Sequence, residues 1–310
     1  MNTLGIDIGG ANLKIASDKG FEIIYFPMWK MASKLKEKLE EMARNYGAER
    51  AGVVITAELS DVFRNKEEGI KFVANICKEV FGEVYFLDIY GNISKEIKDP
   101  RIFSASNWVA SVKFLLSEGF RDFLFVDMGS TTTDLIPVSD RILSGLTDFE
   151  RLKRRELIYF GVLRTPTFYV LRSFENARLC PEYFSIMADV FRVTGDITEA
   201  EYSCETPDGR GRSVEECMRR IARTVCCDLE ELGEEKVRKI AFNAKKAMIR
   251  TLSREIRRKV REYNLKNVIA CGIGEFLVES SCSCLKLSKL YGEASKLFPA
   301  FAMLKLVEKL

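Results

Sequence analysis

Two segments of this 310-residue chain end an apolar run in aspartate and follow it with glycine and small polar residues. The first is Leu4-Gly5-Ile6-Asp7-Ile8-Gly9-Gly10-Ala11-Asn12-Leu13-Lys14; the second is Phe125-Val126-Asp127-Met128-Gly129-Ser130-Thr131-Thr132-Thr133-Asp134. Each reads as strand, tight turn, strand. Glycine lets backbone approach a ligand and aim successive N–H groups at an anion. A carboxylate at such a turn can share a hydrated Mg²⁺, which takes one or two carboxylates together with phosphate oxygens and water. Asp7 and Asp127 are therefore the candidate metal ligands, and with Asp134 they would surround a metal–diphosphate group. Gly9, Gly10, Asn12, Gly129, Ser130, Thr131 and Thr132 are the candidate phosphate-binding residues, with Lys14 as a cationic contact. One such turn is ordinary hairpin chemistry; two imply similar half-structures facing one phosphate-bearing ligand. A plain structural role stays open for Asp134 as a turn cap and for Lys14 as an exposed strand residue.

Other side chains could complete a site. Glu58 and Asp61 follow the apolar run 51–56, at the strand end where parallel sheets present ligands. They could bind a substrate amine, act as general base, or simply cap the next element. Trp108, at the start of a helical pattern, could be core or the wall of an aromatic-substrate pocket. Arg164 and Arg172 carry the planar fork that suits a diphosphate or carboxylate, or a surface ion pair. The chain has no histidine, so a general base must be Asp, Glu, Lys, Tyr or Cys, and zinc sites of the histidine type are excluded.

The elements that must position these residues follow from hydrophobic periodicity. Strands are predicted at about 3–8, 11–16 and 21–26, then a helix over 33–46, a strand over 51–56, a helix over 70–81 and a strand over 84–87. A helix over 106–117 leads into strands near 122–127, 133–139 and 141–145. A polar, irregular insertion then spans about 164–212. Two helices follow over 214–231 and 234–263, broken at Gly233, and a last helix over 300–309 begins after Pro299, a favoured first-turn residue. The division predicted is 1–100 and 101–310.

Composition bounds the rest. With 48 basic against 45 acidic residues, net charge is +3, a mixed surface that gives no argument for nucleic acid. No apolar run approaches the ~18 residues of a membrane helix, and no secretory pattern opens the chain, so the expected location is cytoplasmic, without membrane attachment. Nine cysteines lack a zinc-type CxxC pairing and read as mostly buried thiols. Cys282–Cys284 or Cys180–Cys204 would be the bridges in a hyperthermophile. The absence of glutamine beside 30% charged residues leans toward a thermophilic source. An oligomer stays open.

The paired turns resemble the phosphate-binding hairpins of the acetate and sugar kinase, Hsp70 and actin superfamily. That resemblance implies an α/β protein of two ribonuclease-H-like domains with a cleft between them, and the β-β-β-α-β-α-β order of the first third agrees with it. It implies a phosphate contact for Lys14 and a glycine turn on a nucleotide or aromatic substrate at Gly272-Ile273-Gly274-Glu275. The Asp127 turn is similar to the hydantoinase and oxoprolinase branch. Gly9-Gly10-Ala11-Asn12, Thr56-Ala57-Glu58-Leu59-Ser60-Asp61, Ala105-Ser106-Asn107-Trp108, Arg164-Thr165-Pro166 and Met187-Ala188-Asp189-Val190 resemble its methanofuran-biosynthesis group. The reaction so implied is a transferase reaction, joining an aminomethyl-furan-methyl diphosphate to the phenolic amine gamma-glutamyltyramine through an ether, with diphosphate released and Mg²⁺ as cofactor. An ATP-dependent kinase or ATPase, or a non-catalytic nucleotide-binding regulatory module, are the other uses the fold allows.

Overall fold

The computed structural model describes residues 2–310. β1 (Asn2–Gly9), β2 (Asn12–Ser17) and β3 (Gly20–Tyr25) form an antiparallel meander. Helices α1 (Met28–Met31) and α2 (Leu35–Tyr46) lead to β4 (Ala48–Thr56), then α3 (Lys66–Val80), β5 (Glu83–Leu87) and the short β6 (Ile93–Ser94). β4 adds parallel to β1 and β5 parallel to β4, so the sheet order is β3-β2-β1-β4-β5-β6. Local signals set the helix ends: Gly47 stops α2 in the left-handed region, and the Asn65 side chain accepts from the Glu68 N–H to start α3.

α4 (Asn107–Ser117) carries the chain to a second sheet, opened by β7 (Phe123–Met128) and β8 (Thr133–Val138). Then come α5 (Asp148–Arg154), β9 (Leu157–Ile158), α6 (Thr167–Val170), the hairpin β10 (Ser173–Phe174) and β11 (Ala177–Arg178), α7 (Met187–Thr194), α8 (Val214–Arg223), α9 (Leu229–Leu232) and the long α10 (Glu234–Glu262). β12 (Asn267–Cys271), α11 (Glu275–Ser281), β13 (Leu285–Lys286), α12 (Ser288–Tyr291) and α13 (Phe298–Glu308) finish the chain, and the second sheet has the order β13-β12-β7-β8-β9. Both sheets thus begin with an antiparallel hairpin and continue with parallel strands, as the expected two-half α/β architecture requires. No described helix is long and apolar enough to cross a membrane.

Four expectations are corrected. Residues 141–145 form no strand; Ile142 meets Val138 only at an isolated bridge. The third strand is β9, because the Glu156 carbonyl accepts from Leu135 N and its carboxylate accepts from Gly145 N. The helix expected over 214–231 breaks at 224–228, where Cys226 adopts φ +59°. The insertion is far from irregular: in α7, Met187, Ala188, Asp189, Val190 and Phe191 are buried. Its fully buried Asp189 is satisfied by Arg220, Tyr202 and the Ile186 N–H. Finally, Cys180 lies against Cys226, with sulfurs 3.1 Å apart, and not against Cys204; all nine cysteines are thiols.

The layers explain why the hairpins meet. One core packs α2 and α3 on the outer face of the first sheet, and another packs α7, α8 and α10 on the outer face of the second. Between the sheets lie α4 and α13, in a shared core that joins Val54 and Leu87 to Phe125, Ile136, Phe298 and Met303. α13 returns from the C-terminus to the first sheet through a notch made by two glycines in register, Gly5 and Gly52. A Cβ on Gly5 would lie 1.9 Å from the Ala300 carbonyl, and one on Gly52 2.7 Å from Val307.

Candidate active site

Strand alternation aims both aspartates inward. Leu4, Ile6 and Ile8 face the outer core of the first sheet, so Gly5 and Asp7 face the central layer. Leu124, Val126 and Met128 face the outer core of the second sheet, so Phe125 and Asp127 also face the centre. Asp7 and Asp127 are both buried, at 2% and 7% exposure.

The first carboxylate is well partnered. Asp7 Oδ2 lies 3.2 Å from Lys14 Nζ, its cross-strand neighbour, and Oδ1 accepts from Thr56 Oγ1 at 3.1 Å. Burial alone would lower the Lys14 pKa, but Asp7 and Asp127 outweigh it and hold the ammonium above its usual range. In the second hairpin the position opposite Asp127 is Asp134, so carboxylate faces carboxylate. Arg151 resolves this: its Nη1 pairs with Asp134 and its Nη2 lies 2.6 Å from Asp148 Oδ1. A capping box between Thr147 and Glu150 starts α5 and sets Asp148 and Arg151 one turn apart on it. Burial pushes Asp134 up against the pull of Arg151. Asp127 lacks such a guanidinium; burial pushes it up to about 6, countered by Lys14 and reinforced by Asp134 and Asp7.

In both turns carbonyls are bonded and the tip N–H groups, among the described residues, are not. Carbonyls of the first are taken by Phe26 N and Met28 N, and those of the second by Val162 N, Leu163 N and Arg164 N. The N–H groups of Gly10, Ala11, Ser130 and Thr131 donate to no acceptor among the described residues. Asn12 Nδ2 reaches Ser130 Oγ at 3.4 Å, tying one hairpin to the other. Arg164 reaches Thr131 Oγ1 at 3.4 Å while its guanidinium lies over the Trp29 ring.

Two cavities share this wall. The first, of about 270 Å³, is lined by both turns from Gly9 to Asn12 and Gly129 to Thr132, by Asp7, Lys14, Asp134 and Arg164, and by Thr56, Glu58, Asn107, Asp148, Arg151 and Tyr159. The second, of about 200 Å³, shares Asn12, Lys14, Gly129 and Ser130, and adds Asp127 with apolar Ile23, Val162, Leu163, Ile197 and Ile273. Asp7 and Asp127 therefore flank Lys14 from different chambers.

The remaining candidates separate. Glu58 lines the first cavity at 2% exposure; Oε1 accepts from Ser104, Oε2 has no partner, and burial raises its pKa against the Ser104 hydrogen bond. Asp61 is exposed and lines neither cavity. Trp108 is no pocket wall: it is fully buried under the Arg151 guanidinium, 4.9 Å from its ring. Arg172 stacks near Tyr169, away from both chambers. In the C-terminal turn only Ile273 reaches a cavity. Gly272, at φ +89°, packs so closely that a Cβ would lie 2.6 Å from Asp127 Oδ1, and Gly274 is covered by Met128. Glu275 is consumed by Ser288 and Ser295. Sequence reasoning missed Thr56, Asp148 and Arg151; only the i, i+3 acid–base spacing on α5 hinted at the last two.

The hydantoinase/oxoprolinase profile matches residues 49–305. The chain is 36% identical to the (4-{4-[2-(gamma-L-glutamylamino)ethyl]phenoxymethyl}furan-2-yl)methanamine synthase of Methanocaldococcus jannaschii, over 99% of this chain and 97% of that one. It is also 36% identical to the Methanococcus vannielii synthase of the same name, over 54% of this chain and 78% of that one. Among solved structures, a ROK family glucokinase from Streptomyces griseus, in complex with glucose and AMPPNP, has the same fold, with a TM-score of 0.50 over 100% of both chains at 12% identity. A profile matching from β4 to α13 and a relative this similar over nearly the whole length agree: the chain belongs to the hydantoinase/oxoprolinase family.

Proposed function

We propose that this protein is a synthase of methanofuran biosynthesis, joining an aminomethyl-furan-methyl diphosphate to the phenol of gamma-glutamyltyramine. The methanogen relatives carry the name of the corresponding ether product, and the nearly full-length identity supports the same reaction here. The observation that carries the reading is the pair of turns whose unpaired N–H groups converge on the wall shared by two cavities. In this reading residues 1–100 and 101–310 are the halves that bring those turns together, with α13 bridging back.

The carbon–oxygen bond to diphosphate breaks, and a new bond forms from the furan methylene to the phenolate oxygen. The leaving group departs only if its developing charge is met, and Gly10, Ala11, Ser130 and Thr131 N–H groups with Lys14 and Arg164 would meet it. The furan ring shares positive charge on its methylene, which favours an early departure. The phenol, of free pKa about 10, passes its proton to the diphosphate beside it.

Asp127 and, across Lys14, Asp7 are the residues that would hold a hydrated Mg²⁺ jointly with the diphosphate, Asp127 being the one without an ion pair of its own. They are buried carboxylates around a single lysine, and among the described residues no group of three or more His, Cys, Asp or Glu forms an all-protein cage. The ion would supply charge neutralisation on the diphosphate oxygens.

The C-terminal turn supports a diphosphate over a nucleotide. Gly272 and Gly274 are covered by the Asp127 hairpin, and Ile197, Ala200 and Ser203 of the insertion wall the chamber at Ile273. Phe276 packs edge-on to Phe191 of α7. The test offers ATP, the furan diphosphate and gamma-glutamyltyramine in turn, following diphosphate and ADP separately. Diphosphate released in step with ether is the expected result; ADP formation that requires ATP overturns it in favour of a kinase or ATPase.

A further inference from the structure

Glu58 is the buried group of the first cavity with no structural work for half of its carboxylate. Its Oε1 takes the Ser104 hydroxyl, while Oε2 is buried without any partner. No salt bridge to it forms among the described residues, and Lys66 attracts it only from beyond ion-pair distance. An unpaired buried carboxylate is costly unless something completes it. Burial raises the Glu58 pKa most, and the charges around it are mixed: Lys66 lowers it, Asp148 of the same cavity raises it, and one guanidinium, Arg151, serves both Asp148 and Asp134. The cavity therefore has two poles. Hairpin N–H groups and Lys14 favour an anion, and Glu58 with Asp148 favours a cation. Leu59, Leu157 and Tyr159 line the same cavity and offer apolar surface for a ring.

We propose that Glu58 Oε2 is the acceptor for a primary ammonium group carried on the same small aromatic molecule whose diphosphate sits on the two hairpins. The inference rests on the diphosphate reading above and assigns the other end of that substrate. It makes Glu58 a specificity-determining residue: a ligand with both charges, spaced by a small ring, completes the cavity, and one lacking the amine leaves Oε2 unpaired.

The experiment measures equilibrium binding by calorimetry for the wild-type protein and Glu58→Gln, with aminomethyl-furan-methyl diphosphate and with furan-methyl diphosphate lacking the amine. Glutamine keeps the acceptor for Ser104 and removes the charge. Wild type should prefer the amine-bearing ligand by about 30-fold, the range of a hydrogen bond to a charged group, and Glu58→Gln should reduce that preference to about threefold or less. Both proteins should bind the amine-free diphosphate alike, and in steady-state assays the loss in Glu58→Gln should fall on KM for the amine-bearing diphosphate more than on kcat. Equal wild-type affinity for the two ligands overturns the assignment while leaving the diphosphate reading intact. So does a collapse of kcat with unchanged KM, which would make Glu58 a general base. If neither diphosphate binds, the diphosphate reading falls, and furan-2-ylmethanamine decides Glu58 alone, by stabilising wild type and not Glu58→Gln in a thermal melt. Should Glu58→Gln fail to fold, Glu58→Asp keeps the charge but retracts it, and must weaken the amine preference.

Discussion

The two hairpins share a backbone plan and differ in what stands opposite the aspartate. In the first, Asp7 faces Lys14, and a fixed ion pair with a further hydrogen bond from Thr56 holds the carboxylate in place. In the second, Asp127 faces Asp134, and the repulsion is relieved on one side only, by Arg151 reaching in from α5. One hairpin carries its own counter-charge; the other borrows one for Asp134 and leaves Asp127 with only the longer-range attraction of Lys14. Two hairpins of one backbone plan thus hold one carboxylate in an ion pair and leave the other without one.

The largest effect should come from Arg151→Met. It strands Asp134 and Asp148 in a buried setting, and losing one partner of a buried pair costs about 3 kcal/mol or more. Chemical denaturation measures this, and the double variant Arg151→Met/Asp134→Asn should recover much of it. An Arg151→Met protein as stable as wild type would mean that Asp134 needs no borrowed charge.

Asp127→Asn should cut turnover about a hundredfold, a loss of about 2.7 kcal/mol of transition-state stabilisation. Diphosphate release across a Mg²⁺ titration reads it, and wild-type rates at any metal concentration would remove Asp127 from the site. The same variant should melt no lower than wild type. Asp7→Asn, in contrast, leaves Lys14 without its partner and should cost about 1–3 kcal/mol of stability. Opposite signs in the two melts would express the asymmetry directly; equal losses would erase it.

The pH dependence sharpens the point. The Asp127 pKa rises on folding from 3.8 to about 6, so its contribution to stability is present below about pH 4 and lost as pH climbs through 6. In metal-free protein the melting advantage of Asp127→Asn should therefore widen between pH 4 and pH 7. A constant gap would mean that the carboxylate is already compensated. The smallest effect belongs to Thr56→Val, which deletes one hydrogen bond to Asp7 and should cost about 1 kcal/mol in a urea melt.

What could be read along the chain was local. Asp7, its glycines and Lys14 lie within one hairpin, so strand alternation and turn chemistry suffice to bring them together, and the same holds for Asp127 through Asp134. The helices of the first half were legible because Leu35, Leu39 and Met42 repeat at helical spacing on one buried face. The strand expected over 141–145 failed because Glu156, further along, takes the ladder position beside Leu135. Trp108 could be core or the wall of a substrate pocket, and which it is depends on what covers it; here Arg151 does.

By itself the sequence determined two glycine turns, each with an inward aspartate, because a hairpin completes its own hydrogen bonding over a few residues. Only the tertiary structure decided which of those charges is compensated. Arg151 meets Asp134 because α5 is capped at Thr147 and laid against β8 by β9. Glu58 keeps an unpartnered oxygen because α3 and the segment around Ser104 close over it from separate parts of the chain. α13 holds the layers together because Gly5 and Gly52 come into register on neighbouring strands. Charge pairing between distant segments depends on distances that folding sets, and no local pattern of residue types encodes them.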